Sequence, residues 1–213
     1  MSGCINNSEG KPDTKNDVID YMRNKYNEEF DFLTMNTEVW TANHTEMLLS
    51  SKSFPGHTII VHQDRKTGEI TDNYLAIKLN AEIEKKVSEI VKEIYGESKT
   101  FSYPKSLPLP SSLLPNSTAE DYLRAKPQIT DITIIVTRDI NTKEIDLEMF
   151  RAVLKEKGYY LTFSIVYVDK PVFDVINETN YIDYTDETRN DVLAYGEFIV
   201  GESHDFSYKK WRK

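Results

Sequence analysis

Cysteine is almost missing from this chain of 213 residues, which has one, Cys4. A lone thiol closes no internal disulfide, so a disulfide scaffold is excluded. Glycine is scarce as well, at eight residues, and neither G-x-G-x-x-G nor G-x-x-x-x-G-K-[ST] occurs. Without them there is no glycine-rich loop to cradle a phosphate or a dinucleotide. G-x-S-x-G is also missing, and Cys4, in a polar tail, offers no rigid nucleophile for a Cys–His pair. No apolar run approaches the ~20 residues needed to span a bilayer. Positive charge is in deficit, with a formal net charge of -9. Phosphate backbones need clustered Lys and Arg, so this balance argues against a nucleic-acid partner. The one basic run is Lys209, Lys210, Arg212 and Lys213, read here as a solvated tail over 206–213.

The chain does hold 13 Tyr and nine Phe, which supply apolar surface for a core and argue against disorder. The strongest periodic signal runs from Asp72 to Gly96. Leu79, Ile83, Val87, Ile90, Val91 and Ile94 recur at spacings of three and four, one face of a helix. Glu82, Glu84, Lys85, Lys86, Glu89 and Lys92 fall on the wet face. Asp72 or Asn73 supplies a cap, and Gly96 a left-handed stop. Before it, Asp17–Glu28 reads as a helix. Phe30–Met35, Met47–Lys52, His57–Asp64 and Glu69–Thr71 read as strands, with Lys66-Thr67-Gly68 as a hairpin turn.

Four of the eight prolines fall between positions 104 and 115. That density excludes helix and central strand, so 98–117 is expected to be an extended linker. Beyond it come a short helix opened by Thr118 and Asp121 in capping-box spacing, a strand over Asp131–Arg138 and a helix over Asp146–Lys157 stopped at Gly158. Strands follow over Tyr159–Val168 and Asp191–Val200, with an ambiguous acidic, Asn-rich stretch between them. The fold class expected is α+β, with antiparallel sheets and helices packed on one face. Residues 15–97 and 118–205 form two lobes, joined by the Pro-rich segment.

The start of the chain, Ser2-Gly3-Cys4, is followed by the polar stretch INNSEGKPDTKN. It resembles the end of a bacterial lipobox, in which a small-residue pair precedes the cysteine that becomes lipidated. Met1 stands where leucine is usual. The resemblance covers four residues and carries no fold. It implies lipid attachment at Cys4, a polar tether over 1–14, an extracytoplasmic membrane-anchored location, and a leader of about twenty residues, basic then apolar, ahead of Ser2.

Metal and catalytic signals are weak. His57 and His62, five apart on one strand, point to opposite faces, so with His44 and His204 they make no ligand set. The acidic run Asp169, Asp174, Glu178, Asp183, Asp186 and Glu187 lacks the glycine and the spacing of a calcium loop. If it does hold an ion, Asp183, Asp186, Glu187 and His204 are the first residues to test. No catalytic residue, cofactor or metal ligand is assigned. The expected function is that of a membrane-tethered binding or interaction domain, with Trp40, Tyr181, Tyr184 and Trp211 as candidate contact aromatics and the partner, protein or small ligand, unspecified. An enzyme with an unrecognised site, and a small-ligand or metal sensor using the acidic loop, are the alternatives. A deep polar cleft would favour the enzyme; a groove or an open sheet face would favour the binding domain.

Overall fold

The structure, a computed structural model, describes residues 14–36, 43–104, 109, 112–125 and 130–213. Cys4, tether residues 1–13 and Trp40 lie outside the described residues, and Thr14, the last tether residue expected, opens a helix. The chain divides between Tyr74 and Leu75 into two compact units. The sequence alone places the first boundary near residue 97. The long helix continues directly into a strand of the second sheet, so all but its first residue falls in the second unit.

The first unit holds helix α1 (Thr14–Tyr26) and strands β1 (Phe30–Asn36), β2 (His44–Ser51), β3 (Ile59–Asp64) and β4 (Ile70–Asp72). The strands pair antiparallel in chain order. In β3, Ile59, Val61 and Gln63 are buried and alternate with half-buried neighbours, the period-two pattern of a strand with one covered face. α1 buries Val18 and Met22, one turn apart. Gly68, at φ 76, takes the left-handed position of the β3–β4 turn, where Asp64 accepts from the Lys66 and Thr67 amides.

The last residues of this unit are fixed by polar contacts. The fully buried carboxylate of Asp72 accepts from Lys25 Nζ (2.7 Å), the Tyr26 hydroxyl (2.8 Å) and the Tyr74 amide (2.9 Å). Asn73 exchanges two bonds with the backbone of Ile60 in β3. Tyr74 packs edge-on against Tyr26, Phe30 and Phe54, and its hydroxyl donates to Glu28, which also accepts from Ser51. Both cap candidates are thus engaged.

The second unit is built on helix α2 (Tyr74–Tyr95), strands β5 (Ser98–Pro104) and β6 (Thr130–Val136), helix α4 (Lys143–Lys157), and strands β7 (Thr162–Val168), β8 (Val192–Val200) and β9 (Phe206–Trp211). Two short helices, α3 (Ala119–Arg124) and α5 (Lys170–Val175), and 3-10 turns at Ile140–Thr142 and Tyr181–Thr185 complete it. The sheet order is β5-β6-β7-β8-β9. All pairs are antiparallel except β6–β7, so this sheet is mixed. A parallel pair needs a crossover, and α4 provides it. The α+β class stands.

Both faces of this sheet are covered. On one, Phe150 of α4 meets Phe163 edge-on at 5.1 Å, and Phe163 stacks on Phe198. On the other, Phe173, Ile176 and Tyr184 pack with Ile135, Val166, Val192 and Tyr195. The Asn-rich stretch left ambiguous by sequence forms this second cover. Tyr184 is therefore a core residue, and Tyr181 stacks on Phe101 at 4.5 Å.

Two further readings are corrected. Residues 206–211 are strand β9, not a solvated tail: Trp211 lies edge-on against Phe198 at 5.0 Å, Lys209 pairs with Glu144 and Glu148, and Arg212 pairs with Glu197. Only the end residues Phe206 and Trp211 are half-buried and the four between them are exposed, so no alternating pattern marks this strand in the sequence. The Pro-rich segment, in turn, opens as strand β5. It lies at the sheet edge, the place where a strand tolerates proline.

Candidate groove at the edge of the second sheet

β5 pairs on one side with β6 and meets α2 on the other. Ser102 shows how. Its amide donates to Glu84 Oε2 (2.8 Å), its carbonyl accepts from Asn80 Nδ2 (3.1 Å), and its hydroxyl donates to Asn80 Oδ1 (2.7 Å). Both backbone groups of Ser102 thus point away from β6. Antiparallel ladders alternate, so those of Thr100 and Ser98 point the same way, and the amide that Pro104 lacks belongs to this outer row. Two side chains of α2 close the strand edge at Ser102. Beyond Ser102 the edge opens into a groove.

The groove measures about 560 Å³. Glu84, Ser88 and Lys92, four residues apart along α2, form one wall, Ser98–Phe101 form the floor, and Ile176–Thr179 form the other wall. The loop wall is held by its own side chains. Asn177 Oδ1 accepts from the Thr179 amide (2.9 Å) and hydroxyl (2.6 Å), Asn180 Oδ1 accepts from the Asn177 amide (2.8 Å), and both side-chain amides donate to the Val175 carbonyl. Asn and Thr compete for the backbone in this way wherever helix and ladder are absent. Lys99 ties the loop to the floor: its Nζ donates to the carbonyls of Phe173 (2.5 Å) and Ile176 (2.6 Å) and lies 4.5 Å from the Phe173 ring centroid.

The lining holds two polar groups shielded from water. The Thr100 hydroxyl is buried with no partner, on a residue only 8% exposed. Leaving such a group unpaired costs ~1–3 kcal/mol. Glu84 titrates above the ordinary glutamate value, chiefly through burial; the Ser102 amide opposes this, and the charge of Glu178 adds to it. Two carboxylates therefore share this end of the groove, and the nearby ammonium of Lys99 is already committed to carbonyls.

The sequence reading placed Glu84 and Lys92 on the wet face of α2, where they are, but did not bring them to a site. The spacing of Glu84, Ser88 and Lys92 and the Asn-x-Thr-Asn pattern over 177–180 were the available signals. The histidines fall elsewhere. His44 and His62 stack across β2 and β3 at 4.0 Å, and His62 Nε2 lies 3.0 Å from Glu46 Oε2. Burial, and then the neighbouring His62, hold His44 below the usual imidazole range. His57 is exposed, and His204 lies against the Tyr160 ring. Asp186 caps its own turn by accepting from Thr188, Glu187 pairs with Arg212, and His204 is on neither contact. Among the described residues no three His, Cys, Asp or Glu side chains converge as a metal site. Among them, too, no helix is long and apolar enough to cross a membrane.

The protein is thus an α+β protein of two sheets with an open groove at one sheet edge. No family model matches the chain, and no curated protein matches it. Among solved structures it is similar to a DUF5037 family protein from Ruminococcus gnavus, at 15% identity over 90% of this chain and 93% of that one, with a TM-score of 0.43.

Proposed function

We propose that this protein is a binding module held at the extracytoplasmic face of a membrane by a lipid on Cys4, and that it takes its ligand in the groove between α2, β5 and the 176–179 loop. The observation that carries the binding reading is the groove itself: a preformed loop wall beside an open strand edge. Side-chain bonds fix the loop before any ligand arrives, which lowers the ordering cost of binding. The anchor rests on the Ser2-Gly3-Cys4 resemblance and on the polar stretch after it. Each buried methylene adds ~0.8 kcal/mol of membrane affinity, so several acyl chains on one cysteine hold where a single chain is marginal.

Two experiments test these parts separately. Amide spectra of residues 15–213 are recorded against a panel of short peptides, sugars, nucleotides and amines. The groove reading requires at least one class to shift residues 98–101 and 177–179 together; a panel that leaves them unmoved overturns it. Intact mass of the protein from its native membrane is expected to carry acyl chains on Cys4. An unmodified cysteine there removes the anchor and leaves the groove untouched.

A further inference from the structure

We infer, resting on the groove reading, that the ligand is an extended peptide segment carrying a Lys or Arg side chain, added as a short strand to β5. Three observations converge on this. The floor offers main-chain donors and acceptors: Thr100 and Ser98 direct their amides and carbonyls outward, in register with the outer row shown by Ser102. Strand addition uses such a row, with main-chain bonds giving affinity and side-chain sites giving specificity.

The length also fits. Glu84 to Lys92 spans eight residues of helix, about 12 Å, which equals about four residues of extended chain. Asn80 and Glu84 then block further pairing at Ser102, so the added strand is short and its register is fixed at that end. The charge sets the side chain. Glu84 and Glu178 lie close enough for one to raise the titration of the other, and Glu84 is partly desolvated. A guanidinium or ammonium placed between them relieves the repulsion of two like charges.

The probe is the blocked pentapeptide acetyl-Thr-Val-Arg-Val-Thr-amide, titrated into the labelled protein. Shifts are expected at Ser98, Thr100 and 177–179. A glutamate in place of the arginine should weaken binding about tenfold or more, and so should Glu84→Gln or Glu178→Gln in the protein, since a charge-assisted contact is lost. Glu84→Gln keeps an oxygen for the Ser102 amide, and Glu178 is exposed, so both variants should fold. N-methylation of the two alternate amides that face β5 should abolish binding. Equal affinity for the arginine and glutamate peptides overturns the basic-residue inference, and undiminished binding of the N-methylated peptide overturns strand addition. Groove shifts produced only by non-peptide members of the panel overturn this inference while the groove reading stands. Silence of the groove to every ligand overturns both.

Discussion

Replacing Asp72 with Ala removes the acceptor of three donors at once: Lys25 Nζ, the Tyr26 hydroxyl and the Tyr74 amide. Each hydrogen bond to a charged group contributes ~1.5–3 kcal/mol, and a lost helix cap ~1 kcal/mol. The sum overstates the loss, because Lys25, with a side chain 20% exposed, can turn to water once released. Tyr26 has less freedom: burial, and then Asp72, push its phenol well above the usual range, the mark of a hydroxyl held as a donor to a charge. Discounting Lys25 leaves about 4 kcal/mol for Asp72→Ala and about half that for Asp72→Asn, which keeps one oxygen. Urea unfolding reads the loss as a midpoint lowered by about 1.5–2 M, given a slope near 2 kcal/mol per M. Hydrogen exchange at the amides of α1 and β1–β4 should rise in step, since the chain has two units and this network belongs to the first. A loss under about 1 kcal/mol for Asp72→Ala would mean that the three donors find other partners, and the network would not be what fixes the start of α2.

Glu28 titrates below the ordinary range although burial opposes this, because hydroxyls of Ser51, Ser53 and Tyr74 donate to its carboxylate. A depressed folded value gives stability that is present above the unfolded pKa and is lost as pH falls through the folded one, so Glu28→Gln should flatten the stability profile on the acid side of its usual pKa. An unchanged difference between pH 7 and pH 3 would refute this. Gly196→Ala places a Cβ 2.6 Å from ring atoms of Phe198 and Trp211, so a melting temperature lowered by the equivalent of ~1–3 kcal/mol is expected, with partial rescue by Trp211→Leu. Val87→Asp puts a charge at a fully buried position on α2; a cost of several kcal/mol is expected, and a melting temperature within a degree of wild type would show that this face is not core.

Much of the fold was legible because its elements announce themselves locally. α2 shows an uninterrupted apolar stripe, the Thr118–Asp121 capping box forms as its spacing implies, and Gly96 and Gly158 take the positive φ their positions call for. What stayed hidden was settled between distant residues. β9 could not be seen among lysines, because its reason for being a strand is the fit of Trp211 against Phe198 on the neighbouring strand β8. β5 was hidden by Pro104, whose missing amide matters only if one knows which side of the strand faces β6. The 177–180 loop carried no apolar period, and its order comes from side chains bonding their own backbone. The groove was least legible of all. Its residues are unremarkable polar ones, and only the register of β5 and the run of α2 set them opposite one another.

Strand order in each sheet repeats chain order, β1 to β4 in one and β5 to β9 in the other. Within each sheet, every strand after the first therefore pairs with the one made just before it. The widest gaps inside the second sheet are the β5–β6 connection through the Pro-rich segment and the β6–β7 crossover through α4. Loop-closure entropy grows only slowly with length, so each step adds a modest penalty that the next ladder offsets. Folding can then advance one ladder at a time rather than by a single long-range search, with the β5–β6 and β6–β7 closures as its costliest steps.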